Sequence, residues 1–291
     1  MSAARRHLLA QSNKSRAAGL LILLCAVAGL AATPAQADDV PSCYQANKMP
    51  APGVDRAIFV LIDQTTLLDA TLRQSVMSNT GNFIKPGTAF TIGAFSAFAQ
   101  GRYLDITKAG TLEAALPDAA RNGVKLKTLE KFDACMLGQW NFGLKAAAGA
   151  LTAAMAGASA TLAKSDVEAS IRALADVVRA SPAKDRVVLI VSDMLENSTI
   201  SSFYGRQNVR MLNPAKEMEL AKAASMLGDF AGARVYVIGA GVMPEGDTKK
   251  GGVYRDPKTM DALAKFWALY FKASNADLAG FGQPALLNPV R

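Results

Sequence analysis

Arg56-Ala57-Ile58-Phe59-Val60-Leu61-Ile62 runs straight into Asp63-Gln64-Thr65-Thr66, and far downstream Arg186-Val187-Val188-Leu189-Ile190-Val191 runs into Ser192-Asp193-Met194-Leu195-Glu196-Asn197. A continuous apolar, β-branched run has no polar face, so both faces of its sheet must be covered, as in parallel α/β sheets. A third such run, 233–238, closes on Gly239-Ala240-Gly241. Helical periodicity separates the runs: Leu68, Leu72, Val76 and Met77 within 67–83, and Ile171, Leu174, Val177 and Val178 within 167–180. Further helices open at Pro214 and at Asp256-Pro257. Strands alternating with helices in this order predict an α/β fold: a doubly wound, mostly parallel sheet with helices on both faces. Residues 88–98 and 103–107 add an edge hairpin about Gly101.

The first 37 residues stand apart. Arg5, Arg6, Lys14 and Arg16 precede an apolar run from Leu20 to Leu30, and Ala35-Gln36-Ala37 supplies a small-residue cleavage site. This is the pattern of a signal peptide, so the mature protein is expected to be periplasmic or secreted after cleavage near Ala37. The apolar run is too short for a stable membrane span. Removing four basic residues from 32 leaves 28 Lys and Arg against 24 Asp and Glu, a mature charge of about +4. Those charges are interspersed, which excludes nucleic acid as an expected partner. His7, the one histidine, leaves with the leader. Ser/His/Asp triads, Cys/His pairs and HExxH zinc sites are thereby excluded.

Cys43 and Cys135 remain as an even pair, expected to form a disulfide in an oxidising compartment. Closing a loop of about 90 residues contributes about 4 to 5 kcal/mol in the chain-entropy model. The bridge would tether an amino-terminal arm, 38–53, to a domain spanning 54–272, with 273–291 as a carboxy-terminal tail. Residues 111–140 give no clear pattern. From about 141 to 164 the chain is Ala-rich, with no charge between Lys145 and Lys164, and reads as a helical insertion, buried or facing a partner rather than lipid. Ser165-Asp166-Val167-Glu168 reads as a capping box for the helix that follows. Glu196 and Asp69 are expected in solvent.

Carboxylates at the carboxyl ends of parallel strands line the crevice where open α/β sheets bind ligands. Asp63 and Asp193 are therefore expected on facing loops. With neighbouring hydroxyls they suit a hard divalent cation, Mg²⁺ being the natural candidate. These residues resemble the metal-ion-dependent adhesion site of the von Willebrand factor A domain family, over roughly 54–272. That site uses a DxSxS motif after the first strand, a Thr before a later helix, and an Asp after the fourth strand. Asp63 and Thr65 match the first two motif positions, Ser165 stands for the threonine, and Asp193 for the final Asp. The third motif position is Leu67, which has no oxygen. The resemblance implies a protein-binding module of adhesion or assembly, with no turnover. An acidic residue of another envelope or secreted protein would complete the metal's shell.

Each residue also has a plainer reading. Asp63 could cap the following helix, Asp193 could shape a turn, and Ser165 could serve only as a cap. A metal-free scaffold using the same sheet is one alternative function. A Mg²⁺-dependent phosphohydrolase with Asp63 as nucleophile is another, although Thr65 stands where such enzymes carry a second Asp. Gly239-Ala240-Gly241 lacks the third glycine of a dinucleotide fingerprint.

Overall fold

In the computed structural model the residues described are 40–96, 103–159, 165–205, 208–243 and 256–291. The expected leader, the Gly101 turn and the end of the Ala-rich segment lie outside them. All belong to one compact unit, Gln36–Arg291. In chain order the elements are α1 (Cys43–Ala46), β1 (Arg56–Asp63), α2 (Ala70–Gly81), β2 (Thr88–Phe95), β3 (Asp105–Leu112), α3 (Asp118–Arg121), α4 (Leu126–Ala156) and α5 (Val167–Ala180). They continue with β4 (Asp185–Val191), β5 (Tyr204–Gly205), β6 (Asn208–Val209), α6 (Pro214–Ala223), β7 (Ala233–Ile238), α7 (Pro257–Ala273) and β8 (Ala276–Phe281).

Six strands form one sheet in the order β3-β2-β1-β4-β7-β8, and only β3 runs antiparallel to its neighbour. The chain builds outward from β1 to β3, then crosses back and builds the other way from β4. The fold is thus α/β and doubly wound, with its switch point between β1 and β4. Alternate residues of the apolar runs feed two separate cores. Phe59, Leu61, Val188, Ile190, Val235 and Val237 pack with α5, α6 and α7 on one face. Ile58, Val60, Ile62, Val187, Leu189 and Val191 pack with α2 and α4 on the other. Two covered faces explain why the runs carry no polar alternation.

Three expectations need correction. Residues 276–281, expected in a tail, form β8 and pair with β7. Its sequence Ala-Asp-Leu-Ala-Gly-Phe is half-exposed and lacks the β-branched run of an interior strand. The Ala-rich segment is no insertion as far as Ala156 but the second half of α4, which has 31 residues and so spans ~46 Å. Its buried face follows Phe132, Met136, Gln139, Gly143, Ala147, Leu151 and Ala154, a spacing of three or four throughout. At Gly143 a Cβ would lie 2.5 Å from a Leu112 methyl, so only glycine lets helix and strand approach this closely. Finally, α2 starts at Ala70 rather than 67, because the Asp69 side chain accepts from the Leu72 amide and caps it. Leu67 is thereby left on a loop.

The arm is docked as expected. Cys43 is disulfide-bonded to Cys135 on α4, with Cα atoms 5.7 Å apart. Buried Glu113 accepts from the Ser42 hydroxyl, the Cys43 amide at 2.7 Å, the Tyr44 amide at 3.3 Å and Gln139 Nε2 at 3.0 Å. Among the described residues no helix is long and apolar enough to cross a membrane.

Candidate functional site

β1 and β4 are hydrogen-bonded neighbours, with Ile62 opposite Val191. Both runs therefore expire at the same level of the sheet, and Asp63 comes to lie against Ser192 and Asp193. The Ser192 hydroxyl donates to Asp63 Oδ2 at 2.7 Å. Ser165, just before α5, donates to the same oxygen at 3.3 Å. Asp63 Oδ1 accepts from both the amide and the hydroxyl of Thr65, at 2.8 and 2.6 Å. Neither Asp63 nor Ser165 serves as a simple cap: α2 is capped by Asp69, and the Ser165 side chain is spent on Asp63. The capping box is not formed, since the residue at the cap of α5 is Asp166 and makes no side-chain bond there.

Asp193 is held with equal closeness. Its amide donates to Thr66 Oγ1 at 3.0 Å, its Oδ1 accepts from the Leu195 amide at 2.8 Å, and its Oδ2 accepts from the Tyr204 hydroxyl at 2.8 Å. Met194, fully buried, takes a left-handed φ of 60°. That conformation costs a non-glycine residue about 1 kcal/mol. It is fixed by Met194 N donating to Ser192 Oγ at 2.9 Å and by Trp267 Nε1 donating to Met194 O at 3.0 Å. Gly239, with φ of 105°, closes the neighbouring turn, where a Cβ would sit 3.0 Å from the Ser192 carbonyl. Phe203, packed edge-on to Phe266 and Trp267, anchors the base of Tyr204.

Asp63 and Asp193 are each 1% exposed, and among the described residues no Lys or Arg makes an ion pair with either. Burial raises the Asp63 carboxyl above the usual range, against the opposing pull of the Thr65 and Ser192 hydrogen bonds. Asp193 is pushed up to about 8, by burial first and by the charge of Asp63 second. The same surroundings raise the Tyr204 hydroxyl far above its ordinary value, so it stays protonated and a donor.

The four residues expected at the site, Asp63, Thr65, Ser165 and Asp193, meet in one place; Leu67 points outward and is 45% exposed. Ser192, Tyr204 and the amide contact of Thr66 were not foreseen. Ser192 carries a signal, being a hydroxyl beside the strand-end Asp. Tyr204 carries none, because it sits in a polar loop with no periodicity.

All four acceptor positions of Asp63 are filled by protein donors. Such a carboxylate has no lone pair left for in-line attack, which weighs against an aspartyl-phosphate intermediate. It does orient hydroxyls: Thr65 and Ser165 give their protons to Asp63 and turn oxygen lone pairs away from it. The donor set, two carboxylates and several oriented hydroxyls, fits a hard cation such as Mg²⁺ in its chemistry. No cluster of three acidic, His or Cys side chains among the described residues is arranged as a metal cage. The glycine turn cannot cradle a pyrophosphate either. Its amides are taken by the chain's own carbonyls, Gly239 by Pro284, Ala240 by Gly282 and Gly241 by Asp193.

Fold and site together define a doubly wound α/β domain with a buried carboxylate pair at its switch point. No family model matches the chain, and no characterised protein matches it in sequence. Among solved structures, an aerotolerance-related membrane protein from Bacteroides fragilis is 11% identical, covering 76% of this chain and 89% of its own, with a TM-score of 0.33. PilB minor pilin from Streptococcus sanguinis is 14% identical, covering 78% of this chain and 63% of its own, with a TM-score of 0.32. Likenesses this loose carry no argument about function; the fold rests on the strand order.

Proposed function

We propose that this chain is an exported protein-binding module of the von Willebrand factor A kind, acting in adhesion or in assembly of an envelope complex. Its binding surface is the carboxyl end of the sheet around Asp63 and Asp193. The observation that carries this reading is the pair of buried carboxylates, without a paired Lys or Arg among the described residues, one of which orients the Thr65 and Ser165 hydroxyls. A bound Mg²⁺ would supply the missing positive charge and an open position for an acidic residue of the partner. Thr65 and Ser165 would offer their lone pairs, Asp63 would orient them, and Asp193 would add charge. Leu67, where the family pattern has a hydroxyl, would instead give the partner an apolar contact beside the ion.

Calorimetric titration of Mg²⁺ into the mature protein and into Asp63→Ala tests the ion. Heat with wild type alone is expected; none with either protein rejects metal binding. Pull-down from envelope extract with and without chelator tests the partner, and capture that chelator abolishes is expected. A metal-free scaffold is the second reading, favoured by the Tyr204 hydroxyl already seated on Asp193; it predicts capture indifferent to chelator.

A further inference from the structure

Three further carboxyls are buried close to this site, and they are paired unequally. Glu168 in the first turn of α5 is 2% exposed, Glu196 beyond β4 is 1% exposed and Glu217 in the first turn of α6 is 3% exposed. Glu217 is fully provided for: Oε1 accepts from Arg210 at 2.9 Å and Oε2 from the Ser201 hydroxyl at 2.7 Å. Glu196 accepts from the Glu168 amide at 2.8 Å, and from Val167 and Ser198. Such amides at a helix start suit an anion. Glu168 differs, since its buried Oε2 has no hydrogen-bond partner. Among the described residues one guanidinium, that of Arg210, is bonded to these three carboxyls, and a lone buried charge on Glu168 would be strongly disfavoured.

The groups facing this cluster are few. Arg210 approaches from β6's end and is committed to Glu217. Tyr270 on α7 donates to Met226 O at 2.5 Å and lies 3.3 Å from the Glu168 carbonyl. Arg172 of α5 acts on Tyr270, and Asp166, just before that helix, adds negative charge near Glu196. Burial, followed by Glu196 and Glu217, pushes Glu168 up to about 8; burial pushes Glu196 up to about 7.

Between the first and last of these carboxyls runs the segment that roofs the site. Phe203 N donates to Glu196 O at 2.7 Å, Asn197 N donates to Ser165 O at 2.9 Å, and Arg210 Nε donates to Ser202 O at 2.7 Å. Tyr204 follows, with its hydroxyl on Asp193. We infer that Glu168, Glu196 and Glu217 form a proton-dependent clasp that seats residues 196–205 against the starts of α5 and α6, and that losing the Glu168 proton loosens this segment and its Tyr204 contact with Asp193. The clasp operates whether or not an ion binds at Asp63. It makes access to the carboxylate pair greater in mildly alkaline than in acidic surroundings.

Hydrogen–deuterium exchange of the mature protein, corrected for intrinsic rates and read by mass spectrometry at pH 5.5 and 8.5, tests the clasp. Wild type should lose about tenfold more protection in 196–205 than in β2 at the higher pH, as expected for a linked ionisation local to that segment. Glu168→Gln, which stays neutral, should keep its protection within about twofold. A wild type whose 196–205 protection does not move with pH overturns the clasp, as does a Glu168→Gln profile that parallels wild type. Equal loss in β2, remote from the cluster, would mark global opening and overturn it too. Should Glu168→Gln not fold, Glu168→Met, which cannot ionise either, must show the same flattening, and a wild-type profile there overturns the inference.

Discussion

The two ends of the same three strands treat charge in opposite ways. Where β1, β4 and β7 begin, Asp185 sits between Arg56 and Arg234, 2.8 Å from each, with side chains 27 to 41% exposed. Where β1 and β4 end, Asp63 and Asp193 are buried and meet only hydroxyls and amides. The first arrangement is self-sufficient in water and contributes little. The second holds carboxyls out of water with no Lys or Arg paired to them among the described residues, at a cost in solvation. The contrast sets a hydrated, cation-paired end of the sheet against a buried end whose carboxyls meet hydroxyls and amides.

The largest effect that could break this contrast is Asp63→Ala. It strands three hydroxyls and an amide in the interior and should lower unfolding stability by about 3 kcal/mol in urea titrations. A loss no greater than that of Asp185→Ala would erase the difference between the ends.

The next effect is on pH dependence. Asp63 and Asp193 have folded values raised above their ordinary ones, so their contribution is fully present below the ordinary carboxylate range and is lost as pH rises through the folded values, about 8 for Asp193. Thermal melts should show a lower Tm at pH 8 than at pH 5, with Asp193→Asn reducing the gap. A wild type that gains stability steadily with pH would contradict the electrostatics of the pair.

Tyr204→Phe removes a single hydrogen bond to a buried carboxyl and should cost about 1 to 2 kcal/mol. Equilibrium unfolding that leaves it indistinguishable from wild type would mean the hydroxyl does not hold Asp193. The smallest effect belongs to Asp185→Ala, expected to fall below about 1 kcal/mol because its partners are hydrated. Chemical denaturation of this variant supplies the baseline for the others.

Much of this is legible in the amino-acid sequence. The runs ending at Asp63 and Asp193 announce parallel strands, since only a sheet covered on both sides tolerates six apolar residues in succession at 57–62 and five at 187–191. Their convergence followed from the winding rule. β8 was not legible, because an edge strand holding Asp277 and Gly280 lacks the pattern of burial on both faces. The first half of α4 escaped because Lys127, Glu130, Lys131 and Asp133 crowd its solvent side and obscure the buried stripe. Glu196 was expected in water, as loop carboxylates usually are; only the three-dimensional meeting of α5, α6 and the segment after β4 buries it.

The amino-terminal arm illustrates redundancy. Glu113 and Gln139 grip residues 41–44 by bonds that owe nothing to sulfur, and Tyr44 rests edge-on against Phe132, ring centroids 4.9 Å apart. Were the bridge reduced, both thiols would stay face to face at high effective concentration, and re-closure would be an encounter between neighbours rather than a search. The linkage is in that sense self-positioning: once a disulfide oxidant takes up the two electrons by thiol–disulfide exchange, the two sulfurs already stand where they must join.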